Sequence, residues 1–242
     1  MELPELALHI AGLGFDGVEL PVRPGYPVTP DNVETGLPEA VRILGDHGLK
    51  IASIAGPTDE RTFAACQSAG VLVVRICVGV RSDETYLAGI ARLQTEFEAL
   101  VPLLARYGVT LGCQNHYGNH DVCNAMGLRH LTEGFDPAQV GIVWDAGHNG
   151  LEGEPPETAI DIVWSHLCMV NLKSAFWQRT DDGWQAYWTT GPEGRANWPR
   201  VAAELRRRGY NGVVCLTAEY TDESAVDRFI AEDILFARSL FI

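Results

Sequence analysis

The sequence predicts an α/β fold of the TIM-type (β/α)8 barrel, with seven strands visible and the N-terminal one missing. Three observations point there. Short apolar runs alternate with amphipathic stretches of helical length along the 242 residues, the pattern of βαβ units and a parallel sheet. Polar side chains recur where those apolar runs end, which is the edge at which such a barrel keeps its chemistry. No Gly-rich phosphate loop follows an early strand, which disfavours the alternative, a doubly wound open sheet. Barrels of this size commonly form one domain, so residues 1–242 are expected to be a single unit.

The elements follow in order. Residues 3–13 carry Leu3, Leu6, Leu8, Ile10 and Leu13 with Pro4 in the first turn, and read as a short helix ended by Gly12 and Gly14. A strand at 17–20 precedes a Pro- and Gly-rich loop at 21–30. Asp31 is a fair N-cap, and the helix at 37–48 stops at its glycine. Strands are then expected at 50–55, 71–78, 110–115, 140–144, 169–172 and 213–218. Helices are expected between them near 60–69, 83–107, 125–133, 156–166 and 198–208, with a last one at 224–240. A closed barrel needs eight strands. The missing one leaves two sheet edges that invite pairing with another chain, so a homo-oligomer or hetero-oligomer is expected.

Composition excludes several partners. Thirty-two acidic residues against eighteen basic ones give a formal net charge of -14, which repels nucleic acid and anionic membrane surfaces. The one basic cluster, Arg206 to Arg208, sits in a helical pattern and reads as a solvated face. No window approaches the ~20 apolar residues of a membrane span. The six cysteines form no CxxC pair and the first residues have no signal-peptide pattern, so a reduced, cytoplasmic protein is expected.

The stretch VGIVWDAGHN at 140–149 sets Asp145 and His148 where an apolar run ends and glycines loosen the chain. By itself it favours a helix cap and a core histidine over a site. Its companions shift the balance: Glu19, Gln114-Asn115-His116, Asn171 with Lys173, and Glu219 stand at other strand ends. Oxygen-bearing side chains, an imidazole and an amine converging on one rim point to a functional pocket. Between residues 175 and 198 lie Phe176, Trp177, Trp184, Tyr187, Trp188 and Trp198. They suit either an aromatic cover over the mouth, fit to pack on sugar C–H surfaces, or a β-hairpin turned at Asp182-Gly183 that buries its rings against the barrel or a partner subunit.

LGFDGVEL at 13–20, GVTLGCQNHYG at 108–118, VGIVWDAGH at 140–148, VNLKSA at 170–175, GPEGRANWPRVAAELRRRGYNG at 191–212 and LTAEY at 216–220 together resemble the xylose isomerase-like barrel superfamily. Its members include sugar isomerases and epimerases, inosose dehydratases and type IV apurinic endonucleases. The resemblance implies a divalent metal held by Glu, Asp, His and Glu from four strands. Carried onto this chain, the metal positions are Asp145 and Glu219, which match, and Gln114 and Asn171, which replace a glutamate and a histidine. Four oxygens with two formal charges suit Mg or Mn better than Zn. Loss of the metal, with the four groups forming a hydrogen-bonded floor, is the alternative.

The same resemblance implies an isomerase or epimerase acting on a small sugar or polyol-derived carbonyl compound through an enediolate, without an organic cofactor. An enolate-forming lyase of the inosose dehydratase type and a non-catalytic sugar-binding or assembly protein are its rivals. Glu219, His148 and Lys173 are the expected catalytic groups, and His116, Glu193, Arg195 and Trp177 the expected substrate contacts. Gln114 cannot titrate, which sets two-base epimerisation by the family's usual pair aside and leaves Glu219 or a histidine as base. For Lys173 a salt bridge to Glu219 or Asp145 is the structural alternative, and for His116 a core hydrogen bond. The endonuclease branch is disfavoured because the chain has neither a histidine-rich zinc set nor a basic face.

Overall fold

A computed structural model of the chain describes residues 1–118 and 121–241; His120 lies outside the described residues. Helix α1 (Leu3–Gly12) comes first, followed by β1 (Gly17–Pro21), α2 (Val33–Gly45), β2 (Lys50–Ala55), α3 (Glu60–Ala69), β3 (Val73–Cys77) and α4 (Tyr86–Tyr107). The chain continues through β4 (Thr110–Gln114), α5 (Ala125–Thr132), β5 (Val140–Asp145), α6 (Ala146–Glu152), α7 (Pro156–Val163) and β6 (Leu167–Leu172). A hairpin of β7 (Ser174–Thr180) and β8 (Gly183–Thr189) precedes α8 (Trp198–Arg207), β9 (Val213–Leu216) and α9 (Val226–Phe241).

Seven strands pair in parallel in the order β1-β2-β3-β4-β5-β6-β9. They make a nearly closed barrel that lacks one strand, between β9 and β1. Helices α1 and α9 are tied to each other and to the β1 side of this gap. His9 faces Asp227 at 3.7 Å, and Arg238 reaches the Gly14 carbonyl and the Asp16 carboxylate.

Alternation along β5 divides the molecule into layers. Val140, Ile142 and Trp144 are fully buried and join the helix-side core with Leu128, Leu131 and Ile160. Each such aliphatic side chain contributes about 1.5–3 kcal/mol of burial free energy. Gly141, Val143 and Asp145 point the other way, into the barrel. The strand thus spends one face on stability and brings the other to the rim.

Three local results depart from the expectation. Helix α2 begins at Val33, because Val33, Leu37, Ala40 and Leu44 are buried on one face and outweigh the weak helix formers Thr35 and Gly36. Strand β9 ends at Leu216, so Glu219 stands on a loop past the strand. Helix α6 was hidden from propensity by its two glycines. It forms because Asp145 caps it, Gly153 closes it at φ 79°, and residues 146–151 are buried. The hairpin turns at residues 181–182, with Phe176 opposite Tyr187 and Trp177 opposite Ala186.

Candidate active site

Asp145 is the hinge of the site, and its two oxygens have separate duties. Oδ1 accepts the backbone N–H groups of Gly147 (2.9 Å) and His148 (3.0 Å) and so starts α6. Oδ2 faces the barrel mouth, where it accepts the Gln114 Nε2–H at 2.7 Å. Lys173 Nζ and His148 Nε2 each stand 3.9 Å from the same oxygen. The cap and the site are therefore one carboxylate, which has no exposed surface.

Lys173 follows β6 and is buried, with its ammonium 2.7 Å from Glu219 Oε2 and 4.2 Å from the centre of the Trp188 ring. The carboxylate and the ring face both favour its charge. Gly147 makes room for it: a Cβ at that position would fall 2.6 Å from Lys173 Cγ and 3.0 Å from its carbonyl oxygen. Glu219 keeps half of its side-chain surface open to solvent, as a group that meets an incoming molecule must.

On the other side of Asp145 the chain of contacts runs from Gln114 to Glu19, both expected strand-end residues, through Arg75, which the sequence reading did not single out. Arg75, on β3, donates Nη1–H to Gln114 Oε1 at 2.8 Å, and pairs with Glu19 through Nε (3.0 Å) and Nη2 (2.5 Å). Glu19 also accepts the Ser53 hydroxyl at 2.8 Å. Burial opposes the Arg75 charge, and the hydrogen bonds and attraction of Glu19 outweigh it, pushing its pKa up. A charged residue inside the apolar run VVRIC was the available signal for Arg75, since such side chains are rarely buried without a partner.

The amide of Gln114 has only one chemically consistent orientation. Arg75 can only donate and an ionised Asp145 can only accept, so the carbonyl faces Arg75 and the amide hydrogens face Asp145. His148 is fixed in the same manner. Its Nδ1 accepts the Tyr117 N–H at 3.2 Å, so the hydrogen is on Nε2. Burial first, and the Lys173 charge next, hold its pKa down at about 2. His148 is a neutral donor here, which does not suit it to take up a proton.

His116 has the opposite polarity. Its Nδ1 lies 2.9 Å from the Tyr117 carbonyl and 3.1 Å from Asp121 Oδ2, two acceptors, so Nδ1 carries the hydrogen and Nε2 keeps its lone pair. The ring lies 4.1 Å from that of His148 and keeps about a third of its surface open. Asp121 orients it, as a carboxylate orients a histidine base. Asp121 was not among the expected residues.

Aromatic rings wall this end of the barrel. Trp188 meets the His148 ring edge-on at 5.0 Å, and Tyr117 meets Trp188 and Trp177 at 5.6 and 5.8 Å. Trp177 donates its indole N–H to the Leu151 carbonyl at 3.0 Å, which docks the hairpin on α6. Glu193 accepts the Thr189 hydroxyl at 2.8 Å and is exposed, as is Arg195; neither contacts the Asp145–Lys173 group. Asp233, on α9, accepts the Gly191 N–H and the Tyr220 hydroxyl, anchoring the loop that carries Glu219.

The four residues at the expected metal positions do not fit a divalent ion as they are placed. Asp145 Oδ2 is faced by an amide N–H, an ammonium and an imidazole N–H, all hydrogen-bearing nitrogens, whereas a hard cation needs converging oxygens. Gln114 turns its oxygen to Arg75. Glu219 is occupied by Lys173. No cluster of three His, Cys, Asp or Glu suited to a metal occurs among the described residues. Asn171 Oδ1 is buried without a protein partner, and so is His148 Nε2. One spare acceptor and one spare donor match what hydroxyl groups of a ligand supply.

Residues 8–240 match the family model of the xylose isomerase-like TIM barrel. Among solved structures, the chain is similar to D-psicose 3-epimerase from Clostridium cellulolyticum H10 (16% identity, TM-score 0.75, covering 100% of this chain and 94% of that one). It is similar to 3-keto-D-glucoside 4-epimerase from E. coli (17%, TM-score 0.75, 98% and 94%). It is also similar to a probable 3-DHS dehydratase from Bacillus anthracis (14%, TM-score 0.75, 98% and 94%). No curated protein matches its sequence. Among the described residues no helix is long and apolar enough to cross a membrane.

Proposed function

Because this chain belongs to the xylose isomerase-like TIM barrel family, we propose that it is an enzyme that removes a proton next to the carbonyl of a small polyhydroxylated compound, as an isomerase, an epimerase or a dehydratase does. The observation that carries this reading is the Lys173–Glu219 pair, 2.7 Å apart beside an aromatic wall. A carboxylate held by a buried ammonium is a base whose charge, once it has taken a proton, can be replaced by that of the substrate oxygen.

Each neighbouring group has a part. Glu219 takes the proton. His148 Nε2–H and Asn171 Oδ1 bind hydroxyls, and Trp188 and Tyr117 exclude water and pack on C–H faces. His116, oriented by Asp121 with its Nε2 lone pair free, accepts a proton from a substrate hydroxyl, and Glu219, once protonated, returns its proton to a neighbouring carbon or to a departing hydroxyl. The three solved structures named above are described as two epimerases and a dehydratase, and these outcomes share the first step.

A panel of ketoses, keto-glycosides and cyclic polyhydroxy ketones incubated in D2O tests the reading by NMR. Deuterium should enter at the carbon next to the carbonyl of at least one compound, and Glu219→Gln should slow it by about 10²–10⁴-fold. Binding of a panel compound without exchange would make this a carbohydrate-binding protein instead.

A further inference from the structure

From the disagreement between the family's metal positions and these side chains, we infer that the Lys173 ammonium, held between Glu219 and Asp145, takes the place of the divalent ion, with Arg75 keeping the site closed to one. This rests on the proposed enolate chemistry and adds what stabilises the enolate. Lys173 is the electrophilic group. Arg75 is a positioning residue, acting through Gln114.

Three features converge on this. Lys173 Nζ is 2.7 Å from one carboxylate and 3.9 Å from the other, so a fixed positive charge already lies between the only two carboxylates of the expected metal set. The Gln114 amide, the side chain that would have to supply a third oxygen, is held with its hydrogens toward Asp145 by the 2.8 Å bond from Arg75. Arg75 is itself locked by Glu19 and only partly exposed, so turning the amide would bring two donors face to face. A metal would have to displace a buried ammonium and reverse a buried amide.

The step balances without a co-reactant. The substrate C–H bond breaks, its proton goes to Glu219, and the electron pair becomes the new C=C bond while the carbonyl π pair moves to oxygen. Negative charge passes from the Glu219 carboxylate to the enediolate oxygen. Lys173, freed of Glu219, donates to that oxygen, so the ammonium faces Asp145 and one further negative charge both before and after the transfer.

Metal affinity and isotope exchange test this together. Wild-type protein titrated with Mn2+ should show no binding below millimolar, by calorimetry or electron spin resonance. The Arg75→Met/Lys173→Met double variant should gain at least tenfold in Mn2+ affinity, since both cations are gone and the Gln114 carbonyl is free to turn; damage to the fold alone would not raise affinity. Exchange into a panel substrate should persist in chelator with wild type and fall at least a hundredfold in Lys173→Met. Tight Mn2+ binding by wild type, or exchange that appears only after Mn2+ is added, would overturn the inference while leaving the enolate reading in place. A borohydride-trapped adduct on Lys173 would also overturn it, replacing the ammonium by an imine. Absence of exchange with every compound, with and without Mn2+, would instead remove the function on which the inference rests.

Discussion

Two networks of charge stand at opposite ends of the design of this protein, one on α8 and one in the barrel mouth. On α8, Glu204 accepts from Arg207 at 2.6 and 2.7 Å and from Arg208 at 2.5 Å. Arg208 also reaches Asp161 and lies over the Trp164 ring. Every strong acceptor there meets a donor, and Arg207 and Asp161 remain in solvent. In the mouth, Asp145 and Lys173 are buried, yet His148 Nε2 and Asn171 Oδ1 are left without protein partners. A closed network around one buried carboxylate, its outer arms in solvent, is scaffold. A buried network with a donor and an acceptor left over is suited to hydroxyl groups from outside the chain, because unpaired buried polar groups are costly.

The largest effect that would break this contrast is at Glu219. Glu219→Gln should lower proton exchange by about 10²–10⁴-fold, the range for losing a general base, while thermal unfolding shifts little because half of that side chain is in solvent. Gly147→Ala comes next. Its Cβ would fall 2.6 Å from Lys173 Cγ, so stability should drop by about 1–3 kcal/mol and exchange should fall with it, measured by denaturant titration and NMR on the same sample.

His148 sharpens the comparison through pH. Its folded pKa is about 2 against an ordinary value of 6.5, so between those values the unfolded chain binds a proton that the folded one does not. Stability should therefore fall as pH drops below about 6.5, with a slope of up to about 1.4 kcal/mol per pH unit from this residue. His148→Asn should flatten the slope, as read from urea midpoints between pH 7 and 5. The smallest effect is expected on α8. Hydrogen bonds first from Arg207 and then from Arg208 hold the Glu204 pKa down at about 2. The stabilisation is present at neutral pH and is lost as pH falls from about 4.5 toward 2. Glu204→Gln should cost about 1 kcal/mol at pH 7 and leave exchange unchanged.

Much of this contrast was legible in the residues. Alternating apolar runs placed the seven strands, but the hairpin turn falls one residue before the expected Asp182-Gly183, because Gly183 already pairs with Thr180. Arg206 to Arg208 read as a solvated face, and Arg207 fits that, but Arg208 is packed over Trp164. Asp145 offered two roles, cap or site, and the structure uses one oxygen for each, a division that no linear pattern can express. Arg75 and Asp121 were missed because their roles depend on partners on other strands and loops: Glu19 lies 56 residues from Arg75. The orientation of the Gln114 amide was equally hidden, since it is set by Arg75 on one side and Asp145 on the other.

The most direct measurement is deuterium exchange next to the carbonyl of a panel substrate, with wild type and Glu219→Gln compared after both are stripped of divalent ions. The account predicts exchange by the wild type and a rate about 10²–10⁴-fold lower in the variant. Exchange at the wild-type rate in Glu219→Gln would contradict it.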